Sequence, residues 1–240
     1  LQHLHVLLDE ELVEVAEELG VSAGDVLVCS TGLIGDQLDR EKLIAGTSAV
    51  AANLNTTNGA IAAQAIMTTD SKPKTAEFTH ADGWSIGGMA KGAGMLAPGL
   101  ATMLVVITTD ASLDSKSLDQ ALRAATRVTF DRLDSDGCMS TNDQVTLMAS
   151  GASNVTPSQD DFTVALTQVC ISLATQLQQD AEGASHDITI TVQGAASEAD
   201  AEEVIVTVSE TGEKIKPLRM KLSKAKERAL MKEFGLDETV

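Results

Sequence analysis

The stretch from Gly88 to Asp110, GMAKGAGMLAPGLATMLVVITTD, constrains the fold of this chain more than any other segment. Its first half is rich in glycine, alanine and proline, which favour turns, and its second half is an apolar run typical of a buried strand. We predict a strand over residues 102–109, with Thr102 at its start. Thr102 is then either a structural residue at a strand end or a nucleophile at the mouth of a site.

Helical and strand patterns alternate along the rest of the chain. Apolar residues three and four apart predict helices, short apolar or alternating runs predict strands, and Asp82-Gly83 is a typical hairpin turn. Interleaved elements of both kinds predict an α/β or α+β fold. The predicted helices are 8–19, 40–54, 59–67, 114–127 and 158–182, and the predicted strands are 25–30, 102–109, 187–194 and the hairpin pair AEFTH and WSIGGM.

The charge of the chain disfavours one class of partner. A formal net charge of −18 disfavours nucleic acid, because phosphate binding needs a basic surface. The sequence contains no run of 18 apolar residues, so it predicts no membrane-spanning helix. The acidic N-terminal segment does not resemble a signal peptide. We therefore expect a cytoplasmic protein without nucleic-acid or membrane partners.

No metal or cofactor is expected from the sequence. The three cysteines are far apart, and Cys29 and Cys170 lie in apolar runs that predict core positions. His3 and His5 form only a weak metal-like pair. The acidic segment DRLDSDGCMSTND lacks the ligand spacing of a calcium loop and is interpreted as turns and helix caps.

A change in charge divides the chain into two predicted parts. Residues 1–203 form a strongly acidic body, and residues 204–240 form a basic, helix-prone tail of unknown role. Such a tail is usually a solvated helix, and binding of an acidic partner is the alternative.

Two loops could stabilise an anion or an oxyanion. In CSTGLIG, glycines allow backbone N–H groups to face a negative oxygen, although glycine turns after strands are also common structural features. The second loop, residues 87–94, contains Lys91. This lysine could bind a carboxylate or point into solvent.

Four segments resemble one enzyme family in order and spacing. The segments CSTGLIG, AIMTTDSKPK, GGMAKGAGMLAPGLATML and FDRLDSDGCMSTNDQVTLMASGAS are similar to the bifunctional ornithine acetyltransferases, also called glutamate N-acetyltransferases, of arginine biosynthesis. The likeness covers roughly residues 10–200. Family members extend before Leu1 and continue differently after about residue 200, so we expect a chain truncated at both ends with an unrelated tail.

The resemblance implies a self-processing enzyme with a threonine nucleophile. Family members cut themselves at the Ala-Thr bond of ATML, here Ala101–Thr102, and the new N-terminal Thr102 becomes the catalytic residue. The implied fold is an α/β sandwich similar to the N-terminal-nucleophile hydrolases, here only in part. The implied assembly is a heterotetramer of two cleaved pairs.

The resemblance also implies roles for further residues. Thr31 and Gly32 match the pair that stabilises the oxyanion, and Thr68, Lys91 and Glu182 match substrate-binding residues, Lys91 holding a carboxylate. Taken without the resemblance, Thr68 is also consistent with a helix-end cap, and Glu182 with a carboxylate on a helix surface.

The implied reaction transfers an acetyl group from N2-acetyl-L-ornithine to L-glutamate through acetyl-Thr102. Some family members also accept acetyl-CoA as donor. Two alternatives remain open: a self-processing aminopeptidase or amidohydrolase in which water is the acceptor, and a truncated fragment that folds without turning over.

Overall fold

The computed structural model describes residues 12–31, 39–97, 101–138 and 140–185 together with residue 197. The chain divides into two compact units, residues 1–62 and 63–240. Several predictions lie outside the described residues: His3 and His5, Gly32, the strand 187–194 and the boundary after residue 203. Within the described residues, no helix has the length and apolar character needed to cross a membrane.

The first unit contains helix α1, residues 12–19, a 3-10 turn at Ala23–Asp25 and helix α2, Arg40–Ala51. The side chain of Asp39 caps α2 by accepting a hydrogen bond from the Lys42 N–H. The Ser48 hydroxyl donates to the Glu18 carboxylate at 2.6 Å and joins the two helices. Helix α3, Gly59–Ala65, follows in the chain.

The predicted buried strand at 25–30 is wrong. Its first residue ends the 3-10 turn, residues 26–31 carry no regular secondary structure, and Leu27 is 65% exposed. An apolar run forms a strand only when a neighbouring strand takes up its backbone hydrogen bonds, and no described strand pairs with this one. Consequently Cys29 is only half-buried, whereas Cys170 is in the core as predicted.

The second unit is built on a four-stranded mixed sheet in the order β1-β2-β3-β4. The strands are β1, Lys74–Thr79, β2, Ser85–Lys91, β3, Leu104–Thr109, and β4, Gln144–Ala149. The first three are antiparallel neighbours, and β4 pairs parallel to β3 after a crossover through helix α4, Ser115–Arg127. The mixed α/β class and the hairpin at Asp82-Gly83 are therefore confirmed, whereas β4 was not predicted.

Helices α4 and α5, Gln159–Gln179, pack against each other, and α5 crosses β1 and β2. At the crossing, a Cβ atom on Gly88 would lie 3.0 Å from Leu173 Cδ1, so glycine is required for this close approach. Trp84 and Phe162 form an aromatic pair in the same core, with ring centroids 5.7 Å apart. Burial of this shared apolar surface holds the helices on the sheet.

The predicted helices exist, but most of their ends were placed too late. Helices α2, α3 and α5 end at Ala51, Ala65 and Gln179 rather than at residues 54, 67 and 182. Helix α4 agrees with the prediction, and Asp114 caps it by accepting from the Ser117 N–H at 2.7 Å. Strand β3 begins at Leu104, two residues later than predicted, so Thr102 precedes the strand.

We expect Leu173→Ala to lower the free energy of unfolding by about 3 kcal/mol, because the side chain is wholly buried against β2 and its loss leaves a cavity. Ile171→Ala, at a 51% exposed position of the same helix, should change it by less than about 0.5 kcal/mol. Urea denaturation measures both. Equal effects of the two substitutions would contradict the described packing of α5.

Candidate active site around Thr102

Thr102 is held by a single acceptor. Its backbone N–H donates to the Met95 carbonyl oxygen at 3.0 Å, and its hydroxyl donates to the same oxygen at 3.4 Å. Thr102 is half-buried, between the buried residues Ala101 and Met103. The shared acceptor fixes the hydroxyl and the peptide nitrogen of Thr102 relative to each other.

The residues on both sides of Thr102 are also held. The N–H of Ala101 donates to the Asp143 carboxylate, and the carbonyl oxygen of Met103 accepts from the Gln144 N–H at 3.0 Å. Burial raises the pKa of Asp143, with the charge of Asp131 adding to the effect and the Ala101 hydrogen bond opposing it. The Ala101–Thr102 peptide is therefore anchored through three consecutive residues.

Met95 itself has an uncommon backbone conformation. Its φ of 55° lies in the left-handed region, which is unfavourable for a residue with a side chain. The carboxylate of Asp136 accepts from the Met95 N–H at 3.0 Å, and Leu96 exchanges two hydrogen bonds with Ser135, at 3.2 and 2.8 Å. The acidic segment thus stabilises the strained residue that holds Thr102.

Glu182 reaches the same loop from the end of α5. Its N–H donates to the Ala93 carbonyl oxygen at 2.5 Å, and a Cβ atom on Gly94 would lie 3.2 Å from its Oε2. Glu182 is exposed and follows the helix. The interpretation as a carboxylate on a helix surface is therefore wrong.

Gly92 connects this loop to a buried ion cluster. Its φ is +148°, a Cβ atom there would lie 3.2 Å from Leu96 Cδ2, and its N–H donates to Asp70 Oδ1 at 2.7 Å. The Lys74 ammonium lies 2.5 Å from Asp70 Oδ1 and 2.6 Å from Asp180 Oδ2. The site loop is thereby tied to Lys74.

Hydrogen bonding decides the charge of Asp70. Burial by itself raises its pKa, but hydrogen bonds from Lys74, Gly92 and Thr68 outweigh burial and hold the pKa below its usual value. The pKa of Asp180 is lowered in the same way: burial raises it, but hydrogen bonds from Lys74 and Ser71 outweigh burial. Both carboxylates are therefore kept ionised.

Lys91 and Thr68 both interact with Asp70. Lys91 ends β2 and is 2% exposed, so the alternative of a solvent-facing lysine is wrong. Burial lowers the pKa of Lys91, while the charge of Asp70 opposes this effect. Thr68 is exposed after α3, and its N–H donates to Asp70 Oδ2 at 3.1 Å.

Two predicted site residues, Thr31 and Gly32, remain to be considered. Thr31 is a half-buried residue of the first unit, and Gly32 lies outside the described residues. Their role at an oxyanion stays a prediction. The structure brings the other four, Thr68, Lys91, Thr102 and Glu182, to one loop, since each belongs to residues 91–95 or is linked to them directly or through Asp70.

Sequence reasoning missed the residues that organise the loop. Asp70 and Lys74 are four residues apart with Pro73 between them, and this spacing is only a weak indication of an ion pair. Nothing in the sequence indicates that Asp180 pairs with Lys74. Asp136 and Asp143 were interpreted only as turn or cap residues. In the part of the chain that the structure describes, no group of three or more metal-binding side chains is arranged around a common point.

The acidic segment does form turns, as predicted. Asp134 Oδ1 accepts from the Gly137 N–H at 3.0 Å, and Asp136 Oδ1 accepts from the Cys138 N–H at 2.9 Å. The other oxygen of Asp134 is buried and has no partner among the described residues. Burial, aided by the charge of Asp136, raises the pKa of Asp134 to about 6.

We expect the pKa of Asp134 to make the folded state less stable as the pH rises. The folded chain binds this proton more tightly than the unfolded chain, whose carboxyl titrates near 3.8, so stability is lost between about pH 4 and about pH 6. Asp134→Asn should remove this loss and be the more stable form at pH 8. Urea unfolding at several pH values measures the free energy of unfolding of both forms. Asp160→Asn, at an exposed position, is the control. A pH profile of Asp134→Asn that parallels that of the unmodified chain would contradict the prediction.

Comparison with known proteins identifies the family. Residues 8–212 match the profile of the ArgJ family. The arginine biosynthesis bifunctional protein ArgJ of Streptomyces avermitilis is 62% identical over 191 residues, which cover 80% of this chain and 50% of that protein. The same-named proteins of Streptomyces coelicolor and Mycolicibacterium paratuberculosis are 59% and 53% identical over 196 residues, covering 82% and 80% of this chain and 51% and 48% of theirs. The chain thus spans about half the length of these relatives, and it belongs to the ArgJ family.

Proposed function

We propose that this chain carries the acyl-transfer chemistry of an ornithine acetyltransferase, also called glutamate N-acetyltransferase, in arginine biosynthesis. Membership of the ArgJ family, and its relatives named arginine biosynthesis bifunctional protein ArgJ, support this assignment. The observation that carries this assignment is the hydrogen bonding of Thr102. Its N–H and its hydroxyl both donate to the Met95 carbonyl oxygen, and the neighbouring residues are also hydrogen-bonded. A structural threonine before a strand does not need this arrangement.

The first proposed step is self-cleavage. The Thr102 hydroxyl attacks the carbonyl carbon of Ala101, the C–N bond breaks, and the hydroxyl proton ends on the freed amine of Thr102. Water then hydrolyses the resulting ester, which releases the Ala101 carboxylate and restores the hydroxyl. The Met95 carbonyl is too weakly basic to remove the proton, so its role is orientation.

The second step uses the new amine as the base. An α-amino group titrates at about 7.7–8.0, so part of it is neutral near pH 7 and can accept the proton of the hydroxyl. Thr102 attacks the acetyl carbonyl of N2-acetyl-L-ornithine, and ornithine leaves with that proton. The amine of L-glutamate then attacks the ester, and Thr102 regains its proton as N-acetyl-L-glutamate leaves.

The loop residues suit the two substrates. Lys91 offers a buried ammonium to a substrate carboxylate, and Glu182 offers an exposed carboxylate to a substrate ammonium, with Thr68 as a further contact. Thr31 and Gly32 are proposed to stabilise the oxyanion through the N–H groups of their turn.

Four wider properties are part of the same proposal. They are a sandwich fold of the N-terminal-nucleophile type, a heterotetramer of two cleaved pairs, a cytoplasmic location, and catalysis without a metal or resident cofactor. Acetyl-CoA is the proposed alternative acetyl donor.

Intact mass tests the nucleophile. We expect the 25.0 kDa chain to separate into one piece ending at Ala101 and one beginning at Thr102, and Thr102→Ala to remain whole because no hydroxyl is present. Thr102→Ser, which retains a hydroxyl, is the matched control and should still cleave. An unmodified chain that stays whole like Thr102→Ala would contradict self-cleavage.

Exposure to N2-acetyl-L-ornithine tests the transfer. One acetyl group should appear on the piece that begins at Thr102, and L-glutamate should remove it with formation of N-acetyl-L-glutamate. Release by water alone would instead support the hydrolase alternative. A cleaved chain that never becomes acetylated would support the inactive fragment.

We expect Asp136→Ala to slow self-cleavage by about tenfold or more, because a hydrogen bond to a charged group contributes about 1.5–3 kcal/mol and this one holds Met95 in its strained conformation. Thr141→Ala, at an exposed position of the same segment, is the control. The time course of cleavage after refolding measures both. Cleavage at the unmodified rate in Asp136→Ala would show that the Met95 contact does not position Thr102.

A further inference from the structure

Lys74 is buried with two carboxylates, and stability alone does not account for this. The side chains of Lys74 and Asp70 are 0% exposed and that of Asp180 is 5% exposed. Removing three charges from water is unfavourable, and apolar residues of similar volume often serve stability equally well. The cluster is better explained by the backbone segments to which its two carboxylates are hydrogen-bonded.

Asp70 joins two segments that are distant in sequence. Its Oδ2 accepts from the Thr68 N–H, and its Oδ1 accepts from the Gly92 N–H and from the Lys74 ammonium. Gly92 directly follows Lys91. The carboxylate therefore fixes the backbone beside two of the proposed substrate-binding residues.

Asp180 brings in the third segment. It accepts from the N–H of Ser71 at 3.0 Å and from its hydroxyl, in addition to the Lys74 ammonium. Two residues later, the N–H of Glu182 donates to Ala93. Lys74 thus links the segments that contain Thr68, Lys91 and Glu182.

The cluster also acts on the charge of Lys91. Burial lowers the pKa of Lys91, Asp70 raises it, and Lys74 lowers it further. Asp70 is therefore an anion that acts on Lys91, as a substrate carboxylate would. The Lys74 ammonium at 2.5 Å neutralises that anion and repels Lys91.

The geometry points to Lys74 as a positioning residue for substrate: through its ion pairs with Asp70 and Asp180 it fixes the segments that contain Thr68, Lys91 and Glu182. The Lys74 ammonium is engaged by two carboxylates of the chain, and we assign it no contact with substrate. This inference rests on the proposed function, which assigns Lys91 to the substrate carboxylate.

Three variants of the chain test the inference. Lys74→Met removes the cation, Lys74→Met with Asp70→Asn removes the cation and the Asp70 charge together, and Lys72→Met, at an exposed neighbouring position, is the control. The readouts are the NMR titration of the Lys91 ammonium and calorimetric binding of L-glutamate. Circular dichroism establishes that each variant folds.

We expect Lys74→Met to raise the pKa of Lys91 and to weaken L-glutamate binding roughly tenfold. In the double variant the pKa of Lys91 should fall below that of the unmodified chain, because the larger influence of Asp70 is lost, and binding should stay weak, because the segments remain unlinked. The control should match the unmodified chain in both readouts. If Lys74→Met does not fold, the double variant carries the test, since it leaves only the Asp180 carboxylate without its cation, and Asp180 also accepts two hydrogen bonds from Ser71.

An unchanged Lys91 titration in the folded variants would overturn the inference, as would L-glutamate binding of unmodified strength in folded Lys74→Met. If the unmodified chain binds neither L-glutamate nor N2-acetyl-L-ornithine, the proposed function fails and the inference fails with it. The Lys91 titration separates the two failures, because it needs no substrate.

Discussion

The close contact between helix α5 and strand β2 determines where the polar residues of the site lie. Gly88 leaves no space between the strand and Leu173, so the helix cannot move away or rotate without losing buried apolar surface. The end of the helix is thereby fixed, with Asp180 beside Lys74 and Glu182 beside Ala93. A non-directional apolar contact thus sets the position of directional polar ones.

How much of the fold the sequence predicts depends on how local each signal is. Strand β3 and helix α4 were predictable, because a long apolar run and an Asp cap before an amphipathic segment act within a few residues. The apolar run at 25–30 also favours a strand, but no described strand pairs with it. Whether a pairing strand is present cannot be read from the local sequence pattern. Strand β4 was not predicted although Gln144, Val145, Thr146 and Leu147 alternate, because the run is only six residues long and directly follows the acidic turn segment.

The candidate site divides in a similar way. Thr102, Lys91, Thr68 and Glu182 were found through a family resemblance, whereas the residues that hold them were not. Lysine is almost always exposed, so nothing local predicts that Lys74 is wholly buried. Its partners lie 4 and 106 residues away in the chain, and only the packing of α5 on the sheet brings the distant one into contact.

In the proposed route, the contact of Asp136 with Met95 would link self-cleavage to completion of the fold. A chain that has not yet brought these two segments together would leave its threonine unoriented. Cutting the backbone cannot be undone by the same groups, since the released ends are a stable carboxylate and an amine. Self-cleavage would therefore be irreversible, and only chains in which these two segments are correctly packed would undergo it. Incompletely folded chains would remain uncleaved and inactive in acyl transfer.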